Sequence, residues 1–480
     1  MAIKEKAVDR AAEKTTEKST EKATEKLTDK LTDKPAANPF LVANFAPVAD
    51  ENVISDLVVA GTIPEELEGR FLRIGPNPSA KPNPKKYHWF LGTGMVHGLR
   101  LKGGKAEWYR NSYVLTDNAA RDLKRQQLPY PRKTHGGSVN TNVLNIGGEL
   151  YALVEAGALP MKLDGNLQTT AYSDFDGTLK GAFSAHPRRD PVTGELHVLA
   201  YEPGKKHIDY LVVDKAGRSR TAAQVSAPHQ PMIHDTAITP SFVVVLDLPM
   251  TFDLVAAVSG KFPYLWNRKQ QARIGLLPRS GDVNSMIWFE APQCYVYHIM
   301  NAYEDGGKVV VDVVKNSTYF DADVIRRGIT PPALVRWVLD LHTGKLSETQ
   351  LADQAVEFPR LNDSKVGQSY RFGYTAQFTA DLQFGSAYKH DLISGETLTH
   401  DFGSGRATME PVFVAKANAV AEDEGWLLSY VYDQNTNRTD VVILDAQDFE
   451  ASPIATINLP VRVPYGFHGN WVADSDLNAL

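Results

Sequence analysis

The chain has 480 residues, 43% of them hydrophobic and 9% aromatic, which is ample for a large buried core. Its formal net charge of −6 argues against a nucleic-acid partner, which needs a basic face. No window reaches the roughly 20 apolar residues of a membrane span, and the single cysteine, Cys294, excludes an internal disulfide and fits a reducing compartment. The opening residues MAIKEKAVDRAAEK lack the apolar segment of a signal peptide. These features predict a cytoplasmic protein, at most peripheral to a membrane.

In chain order, residues 1–38 stand apart. From Thr16 to Lys34 a four-residue Thr-Glu-Lys unit repeats. It stacks Glu17, Glu21, Glu25, Asp29 and Asp33 in a like-charged row, without an apolar stripe. A disordered tail ending at Pro35 and Pro39 is expected, followed by one domain over 39–480. From about Asn44 the character is globular. Short apolar runs at Val143–Ile146, Phe242–Leu246, Val309–Val314 and Val441–Leu444 have strand length. No series of long amphipathic helices accompanies them, which argues for an all-β fold. Cys294 falls inside such an apolar run and reads as a buried small hydrophobe.

A turn signal recurs: Asp164-Gly165, then Asp190 to Gly194, Asp214 to Gly217, Asp340 to Gly344, Asp391 to Gly395, and a weaker echo at Asp445 to Asp448. Asp and Gly supply the conformations of tight hairpins. Several of these turns lie about 50 residues apart, a period that suits propeller blades; the same turns would also serve a sandwich.

No compact metal motif occurs among the thirteen histidines, and Gly92-Thr93-Gly94 lacks the Lys of a phosphate loop. Four histidines share a setting. His186, His234, His298 and His468 each follow a short apolar or aromatic segment, as a side chain at the end of a buried strand would. Taken singly, each reads as a hydrogen-bonded core histidine. In a propeller, whose inner strands run along one axis, the four could meet.

The segments Phe71-Leu-Arg-Ile-Gly-Pro-Asn-Pro78, Trp89-Phe-Leu-Gly-Thr-Gly-Met-Val-His-Gly98, Asn140-Thr-Asn-Val143, Ser173-Asp-Phe-Asp-Gly177, Glu357-Phe-Pro-Arg360, Glu410-Pro-Val-Phe-Val414 and Gly466-Phe-His-Gly-Asn-Trp471 resemble the carotenoid cleavage oxygenases. The resemblance extends from about Asn44 to Trp471. It implies a seven-bladed β-propeller capped by loops and short helices over a central iron site. It also implies Fe(II) ligation by His186, His234, His298 and His468, with Glu155, Glu357 and Glu410 behind three of these ligands and His186 without one. Thr141 matches a position whose methyl crowds a vacant iron site. Four neutral imidazoles would leave the ion its full charge, unlike the usual two-histidine, one-carboxylate site.

The implied reaction is cleavage of a C=C bond by O2 to two carbonyl products, with no organic cofactor. Relatives that cleave stilbenes carry a Lys just before the first glutamate; here Val154 stands there, which favours an apolar polyene. Val154, Met232, Tyr297 and Phe358 adjoin the iron motifs and are expected to line the substrate tunnel. Phe252–Trp266, rich in aromatic and aliphatic residues, is expected to form an apolar patch at its mouth that contacts the bilayer. The alternatives are stilbene cleavage, isomerisation or ester hydrolysis as in the retinoid branch, and a binding propeller without metal.

Overall fold

The computed structural model describes residues 38–131, 137–317, 331–379 and 383–478; the Thr-Glu-Lys repeat lies outside them. Among the described residues the strands assemble into seven blades, and helices are few and short. Blade 1 holds Asn142–Ile146, Glu149–Leu153, Met161–Leu163 and Thr169–Tyr172, and blade 2 holds Arg188–Arg189, Leu196–Ala200, His207–Val213 and Ser219–Ser226. Blade 3 is Ala237–Ile238, Phe242–Asp247, Ala272–Pro278 and Ile287–Ala291. Blades 4 and 5 share one long strand, Lys345–Leu361. Its first part, to Ala355, pairs with Ala333–Asp340 of blade 4, whereas from Val356 it pairs with Phe372–Phe378 of blade 5.

Two N-terminal segments close the ring. Val58–Gly61 adds the outer strand of blade 6, beside Ala455–Leu459. Blade 7 joins Gly469–Ala473, as its inner strand, to Gly69–Pro76, Gly94–Lys102 and Lys105–Tyr113.

The apolar runs are continuous because both faces of a blade are covered. Successive side chains of a strand point to opposite faces. In blade 6, Leu427, Val442 and Leu444 enter the core shared with blade 5. Their neighbours Leu428, Val441 and Ile443 enter the core shared with blade 7. The recurring Asp turns at 164, 214, 340, 391 and 445 all connect the third and fourth strands of their blades, so the period of about 50 is the blade. The turn from Asp190 differs, joining the first two strands of blade 2. At Asp391 the carboxylate accepts the N–H groups of Ile393 and Ser394, and Gly395 takes a φ of +80°. Cys294 is buried as expected, and burial pushes its thiol up to about 12.

Short helices at Pro39–Leu41, Ala43–Phe45, Trp89–Leu91 and Leu254–Val258, with the hairpin Met250–Phe252/Tyr264–Trp266, lie outside the blades. Among the described residues no helix is long and apolar enough to cross a membrane.

Candidate metal centre

Each blade contributes one group to the centre. His186, His234 and His468 lie just before the inner strands of blades 2, 3 and 7, and His298 lies within that of blade 4. They therefore sit at the starts of strands or inside one, not at the ends expected from the preceding apolar segments; those segments are the approach to the axis. Glu357 and Glu410 come from the inner edges of blades 5 and 6, and Glu155 from the loop after the second strand of blade 1. Bulges re-aim the two strand-borne groups. The pairing slips between Val296 and Asn301 around His298, and between Glu357 and Arg360. In the second bulge Phe358 takes a φ of +55°, a left-handed conformation that a bulky residue adopts only when its surroundings hold it there.

The Nε2 atoms of His186 and His234 are 3.1 Å apart, those of His234 and His298 3.3 Å, and those of His298 and His468 3.1 Å. The candidate ligand atoms all lie within 4.8 Å of one another. Three rings are oriented from behind: Nδ1–H of His234 donates to Glu155 (2.8 Å), that of His298 to Glu357 (2.5 Å) and that of His468 to Glu410 (3.0 Å). A carboxylate only accepts, so these three rings carry their proton on Nδ1 and turn bare Nε2 lone pairs inward.

Burial and the neighbouring imidazoles drive His186 well below its ordinary range. Burial lowers His468 to about 4, although Glu410 pulls the other way. At His234 burial is the largest influence and lowers, but the carboxylates of Glu155, Asp235 and Glu357 together outweigh it and the shift is upward. Glu410 is raised by burial yet held down to about 2 by His468 and Arg360. The bare lone pairs of His234 and His298, 3.3 Å apart, and of His298 and His468, 3.1 Å apart, repel unless a cation lies among them. Nitrogens at right angles on metal bonds of about 2.1 Å stand about 3.0 Å apart, so the donor set fits a divalent metal.

An apolar cavity of about 340 Å3 reaches His234, His298 and His468. All four expected lining residues, Val154, Met232, Tyr297 and Phe358, face it, as does Thr141, whose hydroxyl donates to Asn140 (3.0 Å). The Phe358 ring stacks on His298 with centroids 5.4 Å apart, and Tyr297 meets His234 edge-on at 5.6 Å. Sequence reasoning missed much of the wall: Trp89, Phe90, Phe378, Phe384 and Phe467. For Trp89, Phe90 and Phe467 the signal was their place inside the quoted motifs.

The segment 252–266 divides. Leu254, Val255 and Val258 are 66%, 78% and 81% exposed, whereas Tyr264 is buried and, with Phe262, lines the cavity. Tyr264 and Phe262 thus leave the expected surface patch, because their rings pack against Phe252 and Phe90. Among the remaining histidines, His97, His197 and His390 are buried and bonded to Tyr109, Tyr210 and Thr375 inside blades.

A propeller with four imidazoles converging on its axis, three of them backed by carboxylates, defines a four-histidine metalloenzyme. The family model described as Retinal pigment epithelial membrane protein matches residues 45–473, and the chain belongs to the carotenoid cleavage oxygenase family. It is 38% identical to a carotenoid cleavage oxygenase of Mycobacterium tuberculosis, over 90% of this chain and 97% of that one. It is 34% identical to a carotenoid 9,10(9',10')-cleavage dioxygenase of Crocus sativus, over 91% and 90% of the two chains. Among solved structures, lignostilbene dioxygenase of Pseudomonas brassicacearum aligns with a TM-score of 0.82 at 27% identity, covering 91% of this chain and 98% of that chain. Synechocystis apocarotenoid oxygenase aligns with a TM-score of 0.79 at 27% identity, covering 89% and 97%.

Proposed function

We propose that the protein is an Fe(II)-dependent dioxygenase that cleaves a C=C bond of a carotenoid or apocarotenoid with O2 and releases two carbonyl products. The observation that carries this reading is the junction of an aromatic-walled cavity with the four-histidine cluster. His186, His234, His298 and His468 would hold the iron, which supplies activation of O2 when bound. Glu155, Glu357 and Glu410 fix three of the rings. Phe358 and Tyr297 pack against ligand imidazoles and would align a flat polyene beside them, with water kept out. Val154 stands next to Glu155 on the cavity wall and offers nothing to bind or ionise a phenol. That favours a polyene over a hydroxystilbene, although the Pseudomonas neighbour is named a lignostilbene dioxygenase.

A polyene resides in membranes. Leu254, Val255 and Val258 project beside Phe262 and Tyr264 of the cavity wall, and this short helix would touch the bilayer.

The deciding experiment is aerobic incubation of Fe(II)-loaded protein with an apocarotenal and, separately, with a hydroxystilbene. Bleaching of the polyene with new aldehyde products, abolished by His298→Ala, is the expected result. Turnover of the stilbene alone would overturn the choice of substrate. Activity on neither, with no iron bound, would return the protein to the binding propellers.

A further inference from the structure

Beyond the histidines and their glutamates lies a second set of polar side chains that the reading above does not use. Five of them sit one to three residues along the chain from the group their blade aims at the axis, and the sixth, Asn142, follows Thr141 of the cavity wall. Arg188 follows His186, Asp235 follows His234, Asn301 follows His298, Arg360 follows Glu357 and Asn470 follows His468. Five of the six, all but Asn301, line a separate polar cavity of about 350 Å3 that reaches His186, His298 and His468.

Their hydrogen bonds run from blade to blade and close on themselves. Asn142 Nδ2 donates to Ala185 O, beside His186, at 2.8 Å. Arg188 donates to Thr236 O and Asp235 Oδ2 of blade 3, both at 2.6 Å, and to Ile299 O of blade 4 at 2.5 Å. Asp235 Oδ2 also accepts the N–H of Ile299 at 2.8 Å. Asn301 donates to Lys365 O and Gln368 O of the blade 5 connection at 3.0 and 3.1 Å. Arg360 of blade 5 donates to Gly469 O and Asn470 Oδ1 of blade 7, both at 3.0 Å, and lies 3.3 Å from Glu410 of blade 6. Asn470 Nδ2 returns to blade 1, donating to Asn142 Oδ1 and Val143 O at 2.9 Å.

The bare Nε2 lone pairs of His234, His298 and His468 repel one another when no cation is present, so the metal-free centre needs an outside constraint. Neighbouring propeller blades are held mainly by apolar packing, which is non-directional. Rigid guanidinium forks and short charge-assisted bonds set distances more sharply. We propose that Asn142, Arg188, Asp235, Asn301, Arg360 and Asn470 form a girdle that fixes the spacing of the four imidazoles before the metal arrives. They are positioning residues, and the inference rests on the metal-binding reading above.

The test titrates Co(II) into the metal-free full-length protein. It follows the visible ligand-field band and measures affinity by competition with a chelator. Asp235→Asn and Arg360→Lys keep size or charge while breaking part of the girdle. Each is expected to bind Co(II) about 10- to 100-fold more weakly, with an altered band, as loss of an outer partner does in other metal sites. A girdle that only adds stability would lower the melting temperature and leave affinity and band as in the wild type; that result overturns the proposal. Should either variant fail to fold, Asn470→Ala, which removes a half-buried amide, decides by the same two readouts. Absence of Co(II) binding by the wild type would instead defeat the metal reading itself.

Discussion

Glu410→Gln and Glu155→Gln make the same chemical change at two depths, and the structure predicts unequal costs. Glu410 is 4% exposed. One oxygen accepts from His468 Nδ1 and lies 3.3 Å from Arg360, and the other accepts the Gly469 N–H at 2.7 Å. A glutamine has one acceptor oxygen where two are needed, so its amide must face a donor, at about 1–3 kcal/mol for the unmatched group. Arg360 also loses its counter-charge, and removing one partner of a buried pair typically costs about 3–5 kcal/mol. These effects overlap, and a total of about 4 kcal/mol is expected. At about 2 cal/mol/K of unfolding entropy per residue, this lowers Tm by about 4 °C for a chain of this size. Glu155 has a side chain 12% exposed and receives the His234 Nδ1–H. Glutamine can still accept that bond through its oxygen and turn its amide toward the oxygen of Tyr201, whose hydroxyl bonds Glu155, so the shift should stay within about 1 °C. Calorimetry on metal-free protein isolates these effects from metal binding. Equal Tm shifts in the two variants would refute the argument.

Val154→Lys places an ammonium group in the apolar cavity beside Glu155. It should lower kcat/KM for an apocarotenal about 10-fold or more, checked by initial rates of bleaching. Joint replacement of Leu254, Val255 and Val258 by Ser should weaken sedimentation with liposomes about 10-fold or more, with bleaching of detergent-dispersed substrate retained. Burial holds His390 down to about 4 and His97 down to about 3, so both are neutral when folded. Above about pH 6.5 the folded and unfolded chains are both uncharged at these sites. Below it only the unfolded chain takes up protons, so stability falls as the pH drops from about 6.5 toward 4. Proton uptake on unfolding at pH 5 should be about one lower in His390→Gln than in the wild type, measured by calorimetry in buffers of different ionisation enthalpy.

The period of the Asp-Gly turns exposed the blades in the sequence because a hairpin's chemistry is local. Asp391 and Gly395 declare their turn whatever packs around it. The four histidines were legible only through the motifs surrounding them, since nothing in the spacing of 186, 234, 298 and 468 requires them to meet. The shared strand Lys345–Leu361 left no comparable mark: its passage from blade 4 to blade 5 at Val356 depends on pairing partners far along the chain. The cavity wall was hidden for a related reason. Trp89, Phe384 and Phe467 converge from parts of the chain far apart in sequence, the first and last from segments leading into strands of blade 7 and Phe384 from a strand of blade 5, and each alone reads as core. The stretch 252–266 carried composition but not direction, so Tyr264 and Val255 looked alike, although one faces the cavity and the other faces solvent.

The way the ring closes has a consequence for biosynthesis. His186, His234 and His298 leave the ribosome well before His468, which arrives on the segment that completes blade 7 beside Gly69–Pro76. Gly75 and Gly466 meet there so closely that a Cβ on Gly75 would lie 2.3 Å from the Gly466 backbone. The fourth imidazole can reach the axis only once the two distant parts of the chain have docked. A metal held by all four histidines would thus mark a chain that has been translated through Gly469–Ala473 and closed, and a product arrested earlier lacks the complete cluster.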